Sequence, residues 1–353
     1  MVQTSLDEVA EDARSLLKSL SKTIIGYDSE KRLILTAMLS NGHVLLEGVP
    51  GIAKTTIAKS LARLMGLSEE WGHEAGGLRY KGFSRIQFTP DLLPSDVTGS
   101  MVFNPSTRDF EVRFGPVFAY LLLADEINRA VPRTQSALLQ AMQERQVTIG
   151  NETYRLEYRS EGKWFLVIAT QNPVEQEGTY PLPEAQLDRF LFRIIMGYPE
   201  SLEEEKEILR LHRGRLVEPL EELEPQVSPG WLVGAQETVA REVEVPEDVL
   251  DFVTRIVRAT RPEIFKPVSR FFELGASPRA AIMIVRASQA HALLRGDSTV
   301  SEEDVTSLLF PALNHRLIPS METVVEYEEK HGRLKARLEV VREGIKFVAD
   351  NLP

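Results

Sequence analysis

The apolar positions of this chain fall into two regimes that meet near residue 199. Before that point, short runs of consecutive apolar residues alternate with stretches whose apolar positions recur at helical spacing. Residues 43–47 (HVLLE), 85–88 (RIQF), 120–124 (YLLLA), 164–169 (WFLVIA) and 190–196 (FLFRIIM) have the near-continuous apolar character of strands covered on both faces. Residues 56–65 and 133–144 are amphipathic and predict helices. Strands alternating with helices imply a parallel sheet in an α/β layer fold. Past residue 199 the pattern is helical, with helices predicted over 201–213, 231–240, 247–260, 278–294, 301–313 and 333–349. Ser277-Pro278 and Ser301-Glu302-Glu303-Asp304 are helix starts, a hydroxyl cap followed by Pro or by acidic residues in the first turn. The expected organisation is therefore an α/β domain over 1–199 and an all-α domain over 200–353, with the Glu- and Pro-rich stretch 217–229 as a loop.

Residues 99–114 alternate apolar and polar positions around Asn104-Pro105-Ser106-Thr107, which predicts a β-hairpin inserted in the first domain. Residues 147–164 predict a second hairpin that turns at Gly150-Asn151. The stretch 68–82 (SEEWGHEAGGLRYKG) is expected to be a mobile loop because of its glycines.

Composition narrows the function. The chain of 353 residues is 43% apolar, enough for folded cores, and carries a net charge of −11. That balance argues against a protein whose main partner is a nucleic-acid backbone. The absence of cysteine removes disulfides, thiolate nucleophiles and Cys-ligated zinc or iron–sulfur centres. Six scattered histidines without an H-E-x-x-H pattern make a protein-bound zinc site unexpected. No apolar run reaches the roughly 18 residues of a membrane span. The acidic, helical start does not resemble a signal peptide, so a soluble cytoplasmic protein is expected.

The strongest local chemistry is Gly48-Val49-Pro50-Gly51-Ile52-Ala53-Lys54-Thr55-Thr56, placed between a predicted strand and a predicted helix. That is the context of a phosphate-binding loop, whose N–H groups and helix N-terminus face phosphate oxygens. Lys54 would reach the β- and γ-phosphates, and the Thr55 hydroxyl would ligate Mg²⁺. One departure is Ala53, where the usual pattern has glycine. About seventy residues on, the apolar run 121–124 ends in Asp125-Glu126, a strand carrying two carboxylates to the edge where α/β sheets bind ligands. Asp125 suits the water shell of Mg²⁺, and Glu126 suits the activation of a water for attack on the γ-phosphate. Asn172, at the tip of a third strand, is either a hydrogen-bonding group for that water or a turn former before Pro173.

Six segments in order, EGVPGIAKT, LLLADEINRA, ALLQAMQERQVTI, ATQNP, LPEAQLDRF and GASPRA, resemble the MoxR group of AAA+ ATPases from about residue 24 to 318. In that group the loop is commonly written GxPGxAKT, so Ala53 fits it. The resemblance implies an αβα P-loop core with a parallel sheet, a small all-α lid, bound ATP or ADP with Mg²⁺, and a homo-oligomeric ring, typically a hexamer. It implies that Asn172 is sensor 1, that Arg189 is the arginine finger entering a neighbouring subunit, and that Arg279 is the sensor 2 arginine acting within its own subunit. Locally, Arg189 could equally pair with Asp188 or Glu184, and Arg279 could be a solvated helix-start residue. Ile25 and Gly26 match the place where such proteins pack adenine, although a turn reads as well there. The two hairpins correspond to inserts that face the pore in related rings. The family also implies chaperone-like remodelling or metal-cofactor insertion, with a von Willebrand factor A domain protein as partner. Competing readings are a nucleotide-gated scaffold with little turnover, a magnesium-chelatase-type motor and a nucleic-acid motor.

Overall fold

The computed structural model describes residues 5–173 and 179–352. Two helices, α1 (Leu6–Leu20) and α2 (Asp28–Leu39), precede β1 (His43–Gly48), α3 (Lys54–Leu64), β2 (Trp71–Ala75) and β3 (Leu78–Gln87). There follow α4 (Pro94–Thr98), the ribbon β4 (Gly99–Asn104) and β5 (Asp109–Phe114), β6 (Ala119–Asp125) and α5 (Pro132–Glu144). A second ribbon, β7 (Gln146–Ile149) and β8 (Glu152–Arg155), leads to β9 (Leu166–Gln171), α6 (Glu184–Leu187) and β10 (Phe190–Met196). The remainder comprises α7 (Leu202–His212), α8 (Trp231–Glu242), α9 (Glu247–Ala259), β11 (Phe272–Leu274), α10 (Pro278–Arg295), α11 (Glu302–Leu313), β12 (Ile318–Pro319), α12 (Met321–His331) and α13 (Arg333–Asp350).

The central sheet runs β10-β1-β9-β6-β3-β2. Its first five strands are parallel, and each overlaps one of the five apolar runs read from the sequence. Every residue of β1 and of β6 is buried, which explains why these strands lack alternation. Their C-terminal ends therefore deliver the loop after Gly48 and the pair Asp125-Glu126 to one edge of the sheet.

Residues 68–82 are not a loop. They supply β2 and the start of β3, an antiparallel pair that extends the sheet by one strand. The glycines misled because they serve a tight turn: Gly76 and Gly77 have φ of +57° and +75°. A Cβ on Gly76 would also lie 2.1 Å from the Tyr158 ring. Both ribbons form as expected, with Gly99 opposite Phe114 in one and Ile149 opposite Glu152 in the other.

The C-terminal part is helical apart from the short antiparallel pair β11–β12, which the sequence did not announce. At α11 the Ser301 hydroxyl accepts from the Asp304 N–H, and the buried Asp304 carboxylate accepts from His291, Arg295 and the Ser301 N–H. This part docks on the start of β10. Arg316 donates to the carbonyls of Phe190 and Leu191 at 2.6 and 3.1 Å, and His315 Nε2 bonds the Phe190 carbonyl at 3.0 Å. Burial holds His315 far below the usual imidazole range, so the ring is neutral and donates through Nε2–H. The N-terminal helices also touch it, through Trp231 to Asp12 at 2.8 Å and Gln236 to the Met38 carbonyl at 2.6 Å.

Candidate active site

The loop from Gly48 to Lys54 wraps where β1 meets α3. Gly48 is obligatory, because a Cβ there would lie 2.4 Å from the Ile52 side chain and 2.6 Å from the Met196 carbonyl. Ala53 takes the left-handed conformation, with φ of +62°. Its methyl group is accommodated, but the backbone carries the strain that glycine would not. Ala53→Gly is therefore expected to leave stability unchanged or raise it by up to about 1 kcal/mol, the left-handed penalty being offset in part by greater chain freedom in the unfolded state. Chemical denaturation checks this, and a loss of more than about 1 kcal/mol would contradict the strain. Lys54 Nζ donates to the carbonyls of Gly48, Val49 (3.3 Å) and Gln171 (3.4 Å). Its pKa is lowered by burial, against the opposing pull of Asp125, Glu126 and Glu47. An ammonium group that, among the described residues, hydrogen-bonds to carbonyl oxygens and makes no ion pair is poised, at a helix N-terminus, for an anion.

The two carboxylates sit opposite this loop. The Thr55 hydroxyl lies 3.4 Å from Asp125 Oδ2, and Thr170 donates to Asp125 Oδ1 at 2.6 Å. The same Thr170 hydroxyl accepts from the Glu126 N–H at 2.9 Å, which fixes the direction of both acids. Glu126 has φ of +55°, a strained conformation that turns its side chain off the strand. Its carboxylate accepts from Gln87 at 2.8 Å and pairs with Arg129 at 3.0 Å. Arg85 completes the group, pairing with Asp125 at 2.6 Å and donating to Gln87 at 3.0 Å. Asn172 follows β9 directly, one residue from the Gln171 carbonyl that Lys54 contacts, and its own carbonyl accepts from Asn128. Arg85, Gln87, Arg129 and Thr170 were not singled out from the sequence. Only the β3–β6 register, which sets Gln87 beside Asp125, brings two of them here.

Beside the loop lies a pocket of about 250 Å³ lined by Ile24, Ile25, Tyr27, residues 50–53, Tyr198 and Leu211. Thr56 borders it as well. Ile25 lines this pocket, and Gly26, with φ of +70°, makes the turn that brings Tyr27 to it. Tyr27 is tied down by its hydroxyl, which donates to the Gly197 carbonyl at 3.0 Å.

Arg189 and Arg279 are elsewhere. Because Phe190 pairs with His43 and Met196 with Gly48, residues 188–189 lie at the opposite end of β10 from the loop. At roughly 3.3 Å per residue that is on the order of 20 Å. Asp188 receives Arg316 at 2.7 Å and Arg279 at 3.5 Å. The family resemblance has Arg279 serving its own subunit; here the docking of α10 and α11 on the start of β10 holds it at the far edge, beside Arg189 and away from the loop. Arg189 itself makes no ion pair among the described residues, since Asp188 goes to Arg316 and Arg279 and Glu184 to Arg337. Burial and the neighbouring Arg279 both lower its pKa.

Comparison with known proteins agrees with this architecture. Residues 43–192 match the ATPase family associated with various cellular activities (AAA), and residues 266–331 match the AAA lid domain. The crystal structure of a "putative ATPase" from Cytophaga hutchinsonii superposes with a TM-score of 0.78 at 36% identity, covering 96% of this chain and 95% of that one. Chaperone MoxR1 of Mycobacterium tuberculosis is 43% identical over 310 residues, which are 87% of this chain and 76% of that protein. The chain belongs to the MoxR family of AAA+ ATPases. Another relative is the uncharacterised protein YeaC of Bacillus subtilis, 42% identical over 314 residues, 87% of this chain and 88% of its own length. As a MoxR ATPase it hydrolyses ATP, and the residues at the loop fit a nucleotide: an ammonium without an ion pair among the described residues, a helix start and an adjoining apolar pocket. The Thr55 hydroxyl and Asp125 carboxylate are the oxygen donors that a hard divalent cation takes. No helix among the described residues is long and apolar enough to cross a membrane.

Proposed function

We propose that this MoxR ATPase works as a Mg²⁺-dependent ring, a hexamer by family resemblance, that couples ATP hydrolysis to chaperone-like remodelling of partner proteins. The observation that supports this reading is the pair Arg189 and Arg279 at the sheet edge remote from the loop, a position suited to a neighbour's site rather than their own. A contact that joins one edge of a subunit to the opposite edge of the next is head-to-tail, and it closes into a ring when the rotation allows. Exposed apolar side chains beside the pocket, Tyr198, Leu202 and Leu209, give such a contact a surface to bury.

In this reading Lys54 and the N–H groups of residues 48–56 hold the phosphates, while Ile25, Gly26 and Tyr27 frame the base. Thr55, with Asp125 through water, holds Mg²⁺, which supplies neutralisation of phosphate charge. Glu126 accepts the proton of the attacking water once it leaves Gln87 and Arg129. Asn172 orients that water, and Arg189 with Arg279, both from the adjacent subunit, stabilise the charge gathered on the transferred phosphoryl group. The division near residue 199 separates the proposed core from the proposed lid, and the matched lid segment falls inside the second part. The chaperone role is supported by the name of the M. tuberculosis relative. A von Willebrand factor A domain partner and metal-cofactor insertion extend the same family resemblance.

Light scattering with and without Mg-ATP, with phosphate release read in parallel, tests the reading. A ring-sized species that turns over ATP is expected. A persistent monomer without turnover would overturn it, because Arg189 would have no neighbour to reach.

A further inference from the structure

The stretch 68–82, whose strand nature the sequence concealed, builds one wall of a second cleft. This cleft, of about 570 Å³, is lined by Trp71, Arg79, Lys81, Arg85, Arg113 and Phe114. It is distinct from the pocket beside the phosphate loop, with which it shares no residue. On a chain of net charge −11 it gathers four cationic side chains. Arg79 pairs with Glu74 at 3.1 Å and Arg85 with Asp125, but Lys81 and Arg113 have no ion pair among the described residues. Lys81 instead rests over the Trp71 ring at 5.6 Å. Trp71 is 39% exposed, unusual for so large an apolar ring, and Phe114 adds a second aromatic surface braced by Phe118 and Tyr154.

We propose that this cleft binds an acidic polypeptide segment in extended conformation, a deepening that rests on the reading of the chain as a remodeller of proteins. Three consecutive residues of β5, Val112 to Phe114, line the cleft and none of β4 does. A strand presents consecutive residues along its edge, not its face, because its side chains alternate. Among the described residues β5 pairs with β4 alone, so its other edge has no strand partner for its N–H and C=O groups. An extended chain satisfies such groups by strand addition, which a sugar–phosphate backbone cannot do. Its alternate side chains, carboxylates toward Lys81 and Arg113 and an apolar residue toward Trp71, match the wall. Arg85 borders both this cleft and the active site, where it holds Gln87 and Asp125, so an acidic ligand reaches a guanidinium that the hydrolysis machinery also uses.

The test is fluorescence anisotropy on the full chain without nucleotide. The probe is a labelled octapeptide of alternating Glu and Val, compared with its Gln-for-Glu counterpart. Binding of the acidic probe that weakens as salt rises is expected, with at least about tenfold weaker binding by Lys81→Glu/Arg113→Glu, since hydrogen bonds to charged groups are among the stronger polar contacts. Lys81→Gln/Arg113→Gln, with an unchanged thermal unfolding curve, should show the same direction. Equal binding by wild type and variants, equal binding of the Gln probe, or displacement of the probe by oligo-dT alone and not by unlabelled acidic peptide would overturn the proposal. Phosphate release by the double variants should equal that of wild type. A chain that bound the probe but never assembled would sink the ring reading and leave this one standing.

Discussion

Glu126→Gln is expected to lower steady-state phosphate release by about 10²–10⁴-fold while ATP binding persists. The Glu126 carboxylate is able to take a proton from water, and Thr170 aims it by holding the Glu126 N–H. Glutamine keeps the shape and a hydrogen bond to Gln87, but it cannot accept a proton. Lys54 and the loop donors are untouched, so a fluorescent ATP analogue should bind with near wild-type affinity. Normal turnover in the variant would remove Glu126 from the role of base. Loss of nucleotide binding would make its role structural.

Arg189→Ala is expected to lower phosphate release by about 10³–10⁵-fold, the effect of losing an arginine supplied from outside the site. The more telling result lies in mixtures with Glu126→Gln subunits. Each single variant is inactive alone, but a site formed by the Glu126 of an Arg189→Ala subunit and the Arg189 of a Glu126→Gln neighbour is complete. Random mixing of equal amounts places that arrangement at about a quarter of the interfaces of a head-to-tail ring, and activity should recover to about that share. Arg279→Ala should recover in the same way, because the pair with Asp188 sets Arg279 at the same edge as Arg189. If Arg189→Ala recovers and Arg279→Ala does not, Arg279 serves its own subunit after all, and its link to Asp188 must break in the assembled ring. If neither recovers while mixed rings form, the assignment across the interface fails.

The strands and the two segments that carry the phosphate chemistry were legible because their signals are local. An apolar run of about four to seven residues announces a buried strand, and a glycine-rich turn between strand and helix announces an anion site. Asp125 and Glu126 were legible for the same reason, as charged residues ending such a run. Where a local signal has two physical causes, the reading failed. The glycines at 76 and 77 suggested mobility, yet they serve a hairpin turn and the close passage of the Tyr158 ring.

What the chain alone determined is thus the parallel sheet, the order of its phosphate loop and acids, and the helical character of its second part. Tertiary structure decided the partners of those acids and the edge at which each arginine stands. Gln87 reaches Glu126 across 39 residues, Thr170 reaches Asp125 across 45, and Arg279 reaches Asp188 across 91. No periodicity encodes such pairs. They follow from the register of β3 against β6 and from the docking of α10 and α11 on β10, which depend on packing between elements rather than on the pattern within any one.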